Sequence, residues 1–254
     1  MLTDSPLTDV LLGLSAAAAG AVNAIAGGGT LLTFPPLERV MASASANATS
    51  TVALLPGSVA GAVGYREELK AGRELVALLL APSLVGGFLG AGLVVWQPQA
   101  FARLVPWLIL TAVVLFALQQ PVSGYLRKHR PGHAPGRRGK AGLVVFQFLV
   151  AVYGGYFGAG IGILMLTSLG LMGVADIHRA NGIKTFLAAS INAASVLVFV
   201  WGGLVNWPVA GLMAATCVVG GYAGARLARR LSPAVVRGVV LAIGIGLAAY
   251  YFSR

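Results

Sequence analysis

The chain has 254 residues, 57% of them hydrophobic and only 10% charged, with a mean hydropathy of +0.85. Soluble domains average about 25% charged residues, so composition excludes one, and near-continuous apolar runs point to a polytopic helical membrane protein rather than a barrel of short alternating strands. The net charge of +11 lies in short loops between those runs, as Lys and Arg do when they orient a membrane protein, which argues against nucleic acid as the partner and for the lipid bilayer.

The N-terminal "MLTDSPLTDV" is acidic and lacks a basic n-region, so no cleaved signal peptide is expected. Eight apolar segments follow, over 9–36, 46–64, 74–95, 100–120, 142–170, 180–201, 208–228 and 234–252. The first holds "AVNAIAGGGTLLTFPPL", where Gly27, Gly28 and Gly29 are followed by Thr30 and then by Pro35 and Pro36. Glycine weakens a helix interior and proline blocks it, so the sequence predicts a break inside this segment. The third segment carries Gly86 and Gly90, a small-xxx-small pair that lets helices pack closely in lipid.

Between the fourth and fifth segments lies "SGYLRKHRPGHAPGRRGKAG", a basic Pro/Gly-rich linker over 121–141 that divides a first unit (1–120) from a second (142–254). Its His129 and His133 read as solvated linker residues, and neither a metal site nor a cofactor is expected. In the second unit, "GGYFGAGIGILML" supplies Gly158, Gly160 and Gly162. The single cysteine, Cys217, has no disulfide partner and reads as a packing residue.

The two units resemble each other. An offset of 134 carries Ala46-Asn47 onto Ala180-Asn181, Thr51 onto Thr185, and Gly86, Gly87 and Gly90 onto Gly220, Gly221 and Gly224. With a one-residue adjustment Gly27 and Gly29 fall on Gly160 and Gly162. The fold expected is therefore an all-α polytopic membrane protein of two homologous four-segment halves, the first segment of each half broken at glycines.

Topology follows from counting Lys and Arg outside the segments. If all eight simply cross, the two sides hold 10 and 7 of them, almost no bias. If the broken first segment of each half is a hairpin that enters and leaves on one side, the split becomes 14 to 3 and the second half is inverted. The inverted repeat is favoured, with the linker cytoplasmic. A segment of this length also fits one long, tilted, kinked span.

In hydrocarbon a broken helix is tolerated where its freed backbone groups line a cavity or meet partners. A half-helix that starts after glycines aims unpaired N–H groups and its positive dipole end at the break, which suits a small anion. The competing reading is that the glycines serve helix packing alone. The second segment of each half opens with a polar stripe: Asn47, Ser50, Thr51 and Ser58 in one, and Asn181, Lys184, Thr185 and Asn192 in the other. Lys184 is the only charge well inside any segment. It either faces an anion or snorkels to the headgroups. All seven Asp and Glu lie in tails or loops, so a cation carrier is disfavoured.

These residues carry a family resemblance. The paired glycine motifs, each followed by a polar-starting helix in segments split four and four, resemble the TauE/SafE family of sulfite-exporter-like membrane proteins. "AIAGGGTLLTFPPL" is similar to its Gly-Gly-Gly-x(4–5)-Pro-x-Leu pattern and "ATSTVAL" to its Gly-Thr-Ser-containing helix start. The second copy departs from it: Ile161 replaces the middle glycine and Thr167-Ser168 the proline. The resemblance implies export of a sulfur oxyanion such as sulfite, or an organosulfonate, across the bacterial inner membrane. A channel-like anion pore is the alternative within the class. A membrane enzyme would need a nucleophile–base pair or metal cluster, and His178 and Cys217 each stand alone, so no enzyme is expected. A homo-oligomer is compatible with the sequence.

Overall fold

The computed structural model of the protein describes residues 5–25, 28–129, 137–174, 176–227 and 233–253. Among them the chain forms eleven helices and no strand: α1 (Pro6–Ile25), α2 (Thr30–Glu38), α3 (Ser43–Gly64), α4 (Arg66–Ala71), α5 (Arg73–Trp96), α6 (Pro98–His129), α7 (Arg137–Tyr156), α8 (Ile161–Leu171), α9 (Ile177–Trp201), α10 (Trp207–Leu227) and α11 (Pro233–Phe252). Several boundaries have a local cause. Pro6, Pro98 and Pro233 take the first helical position, where a missing N–H costs no bond. Asp176 caps α9 by accepting from the His178 amide at 2.9 Å. Trp96, Trp201 and Trp207 stand at helix ends with mostly exposed rings, the placement that interfacial tryptophans take in membrane proteins.

Among the described residues, four helices contain stretches long and apolar enough to cross a membrane: Pro6–Asn23, Arg73–Trp96, Pro98–Leu118 and His178–Trp201. Lys140–Tyr156, Ile161–Leu171, Trp207–Ala223 and Leu241–Phe252 are shorter and equally apolar in character. Large side chains such as Leu14, Leu197 and Val219 point outward around them, a belt that suits hydrocarbon.

The structure redraws the elements in three places. Pro35 and Pro36 lie inside α2 instead of ending it. Each removes one bond near the C-terminal end of a nine-residue helix, while the fully buried Phe34 and Leu37 anchor that turn. α4 is an added short helix with an acidic first turn, Glu67 and Glu68, that no apolar periodicity announces. Finally, α6 runs to His129 and α7 starts at Arg137, so much of the expected linker 121–141 continues the flanking helices. Residues 130–136, with His133, lie outside the described ones.

α3 and α9 pack together at the centre, flanked by α10 and α5. α1 lies along α10, α7 along α5, and α6 pairs with α11. The longest of these contacts are backbone to backbone. A Cβ added at Gly220 would stand 2.0 Å from the Ala17 carbonyl oxygen, and one at Gly90 would stand 2.1 Å from that of Val152. Only glycine fits there, the physical basis of the small-residue pairs seen in the sequence. Apolar side chains gather in two buried clusters, one around Phe34, Phe101, Phe157 and Phe199, the other around Leu79, Met165, Leu187 and Ile191.

Candidate functional site

α1 ends at Ile25 and α2 begins at Thr30, so the first glycine stretch lies between two helices. Gly28 has φ +92°, a left-handed conformation that a side chain would strain, and a Cβ there would also press on the Phe116 ring at 3.2 Å. The Gly29 amide donates to Asn23 Oδ1 at 2.8 Å, across from the last turn of α1. The next amides turn back onto the chain, with Leu31 donating to the Gly28 carbonyl and Leu32 and Thr33 to that of Gly29. Gly27 lies outside the described residues.

The second stretch, between α7 and α8, is built differently. Gly158 and Gly160 have φ +80° and +81°, and the Tyr153 hydroxyl holds the loop by donating to the Ala159 carbonyl at 2.9 Å. The amides of Ala159, Gly160, Ile161 and Gly162 meet no acceptor among the described residues. The first amides of any helix are free, but here they start α8 inside the protein, at the wall of a cavity. Successive N–H groups in alternating left- and right-handed conformation form a concavity suited to an anion.

That cavity, of about 540 Å³, brings the two glycine stretches together. Gly28, Gly29 and Thr30 line it from one side; Gly158, Gly160 and Gly162 line it from the other, with Asn181, Lys184, Thr185 and Asn192 of α9. Lys184 does not reach out of the bundle. Its methylenes lie over Gly162, whose absent Cβ would be 3.4 Å from Lys184 Cδ, and its Nζ donates to Asn181 Oδ1 at 3.1 Å. Among the described residues, neither Asp nor Glu lines the cavity.

Asn47, Ser50 and Thr51 are not in the wall. Asn47 is 1% exposed; its Nδ2 donates to the Tyr156 carbonyl at 3.0 Å and its Oδ1 has no partner. Ser50, fully buried, shares a 2.6 Å hydrogen bond with the Thr33 hydroxyl, and Thr51 Oγ1 donates to the Asn47 carbonyl at 2.8 Å. Ser50 thus ties the start of α3 to α2, Asn47 ties it to the end of α7, and Thr51 bonds within α3 itself. The wall instead includes Asn23, Phe116, Tyr65, Cys217 and Tyr222, which motif reading missed, together with Ser58. Asn23 was the legible one, a lone amide in the apolar run just before the glycines. Among the described residues, no three of His, Cys, Asp or Glu gather as metal ligands.

Long apolar helices with exposed apolar sides, packed around an internal cavity that holds the Lys184 ammonium, are the architecture of a multi-pass membrane transporter. The model of the family "Sulfite exporter TauE/SafE" matches residues 12–251, and the chain belongs to that family. It is 29% identical to the "Probable membrane transporter protein YfcA" of Escherichia coli K12 over 229 residues, 89% of this chain and 81% of that one. A probable membrane transporter protein of Haemophilus influenzae is 27% identical over 231 residues, covering 90% and 88% of the two chains. A third, from Sinorhizobium sp., is 25% identical over 245 residues, covering 91% and 87%. No solved structure matches the chain.

Proposed function

We propose that the protein moves a small oxyanion, sulfite or an organosulfonate, out across the bacterial inner membrane, binding it in the 540 Å³ cavity. One observation carries this reading: among the described residues the cavity wall holds one full positive charge, Lys184, beside the open amides of α8, and no negative charge. The family's printed name, sulfite exporter, agrees with it. The coordinating groups are the amides of Gly160–Gly162, with Lys184 as counter-charge and Thr30, Asn181, Thr185 and Asn192 around them.

The halves, over 1–120 and 142–254, are read as an inverted repeat. The offset of 134 carries Ser43, the first residue of α3, onto Ile177, the first of α9, and Arg73 of α5 onto Trp207 of α10. Exchanging the halves also exchanges the packed pairs, α1 with α10 for α7 with α5, and α3 with α10 for α9 with α5. With the linker cytoplasmic, the cavity opens inward, because it extends along α3 toward Tyr65 and along α10 toward Tyr222. The opposite end is shut. There Phe34 packs edge-on against Phe101 and Phe157, with ring centroids 6.4 and 5.4 Å apart. The Ser43 and Tyr251 hydroxyls donate to Glu38 nearby, tying α2 to α3 and α11. A cavity closed at one end favours a carrier over a channel-like pore.

The test is flux into proteoliposomes holding the purified chain. Labelled sulfite or methanesulfonate should exchange faster than acetate or chloride, and saturably. Equal, non-saturating flux of all four would favour the pore.

A further inference from the structure

The last turn of α1 brings one carboxamide, that of Asn23, to the cavity wall. We propose that Asn23 is a specificity-determining residue, locked by the first glycine stretch so that it offers the ligand only N–H groups and thereby favours oxyanions that carry no proton of their own. The inference rests on the anion reading above.

The orientation of the carboxamide is decided by chemistry. The Gly29 amide can only donate, so the atom 2.8 Å away must be the oxygen of Asn23. The nitrogen is then the other branch, and it lies over Gly29: a Cβ at position 29 would come within 2.7 Å of Asn23 Nδ2. Asn23 lines the cavity, and its Nδ2 has no acceptor among the described residues. A free asparagine can turn either face to a ligand, but one whose oxygen is already occupied cannot.

Asn181 repeats the device from the other half of the chain. Its Oδ1 accepts from Lys184 Nζ at 3.1 Å, which leaves its N–H2 as the branch available to the cavity. Two carboxamides on different helices are thus turned to donate. A sulfonate or a deprotonated sulfur oxyanion presents only acceptors and satisfies both. Phosphate near neutral pH keeps at least one P–OH, and where that proton meets an N–H neither group is paired. A site built around one hydrogen-bond pattern disfavours a ligand with the opposite pattern by leaving its donors unmatched.

The experiment is equilibrium binding to the purified full chain in detergent at pH 6, with methanesulfonate and inorganic phosphate as probes, both then largely monoanions. Wild type should bind methanesulfonate at least roughly 10-fold more tightly than phosphate. Asn23→Asp keeps an acceptor for the Gly29 amide but replaces the N–H2 with a second oxygen. It should weaken methanesulfonate roughly 10-fold or more and shrink the gap to phosphate, whose P–OH gains an acceptor. Asn23→Ala, which adds no charge, should also weaken methanesulfonate. The inference is overturned if Asn23→Asp binds like wild type, which would make the residue a loop brace only. It is overturned equally if Asn23→Ala binds like wild type, or if Asn23→Asp weakens both anions by one factor, the mark of simple charge repulsion. A wild type that binds neither probe would refute the anion reading itself.

Discussion

Lys184 and Ser50 occupy matching positions of the two halves, and the structure treats them oppositely. Lys184 lies in the cavity wall with its ammonium on Asn181, whereas Ser50 is sealed against Thr33. If Lys184 is the counter-charge of a bound anion, Lys184→Met removes a charge-assisted hydrogen bond and should weaken anion binding about 10- to 150-fold. Lys70, exposed in α4 and paired with Glu67 at 3.2 Å, is the control, and Lys70→Met should leave binding and flux unchanged. Isothermal titration with methanesulfonate separates the two. Equal affinity in wild type and Lys184→Met would contradict the role given to the lysine. Lys184 was legible in the sequence because it is the only charge well inside any segment. The fate of Asn47, Ser50 and Thr51 was not legible, because a polar stripe reports which face turns inward and not which end of the bundle is open.

At the scale of the element, glycines do two separate jobs. In the loops before α2 and α8 they supply positive φ, and a side chain costs strain: Gly160→Ala, at φ +81°, should destabilise by about 1–3 kcal/mol and perturb the α8 start. On the helix faces they permit contact. Gly220→Leu should drive α10 away from Ala17 of α1 and lower the melting temperature in detergent sharply, whereas Gly211→Leu, on the same helix with open space at its Cβ, should not. Equal melting temperatures for the two variants would contradict the packing. Both glycine motifs were visible as spacing, and the apolar runs that mark the helices were visible as hydropathy. The internal ends were harder to read. The glycines marked where α2 starts, whereas the tolerance of Pro35 and Pro36 inside it was not legible, because only a helix as short as α2 can do without two bonds near its end. α4 was invisible to hydropathy, being polar and six residues long.

For the whole molecule, a cavity that opens to the cytoplasm, as proposed, requires the basic loops of both halves to lie on that side. Single cysteines at positions 70 and 229, with Cys217 replaced, should react with a membrane-impermeant thiol reagent applied from the cytoplasm, and one at position 99 from outside. Opposite faces for 70 and 229 would refute the inverted arrangement. The tetrahedral anion itself gives the most direct view of the central claim. Selenate has the tetrahedral shape of a sulfonate and carries no proton near neutral pH, and its selenium scatters anomalously. In crystals grown with selenate, the anomalous peak is expected in the cavity between the glycine stretches, its oxygens about 3 Å from the amides of Gly160–Gly162 and from Lys184 Nζ. Occupancy elsewhere in the molecule, with that cavity empty at saturating selenate, would contradict an anion site there.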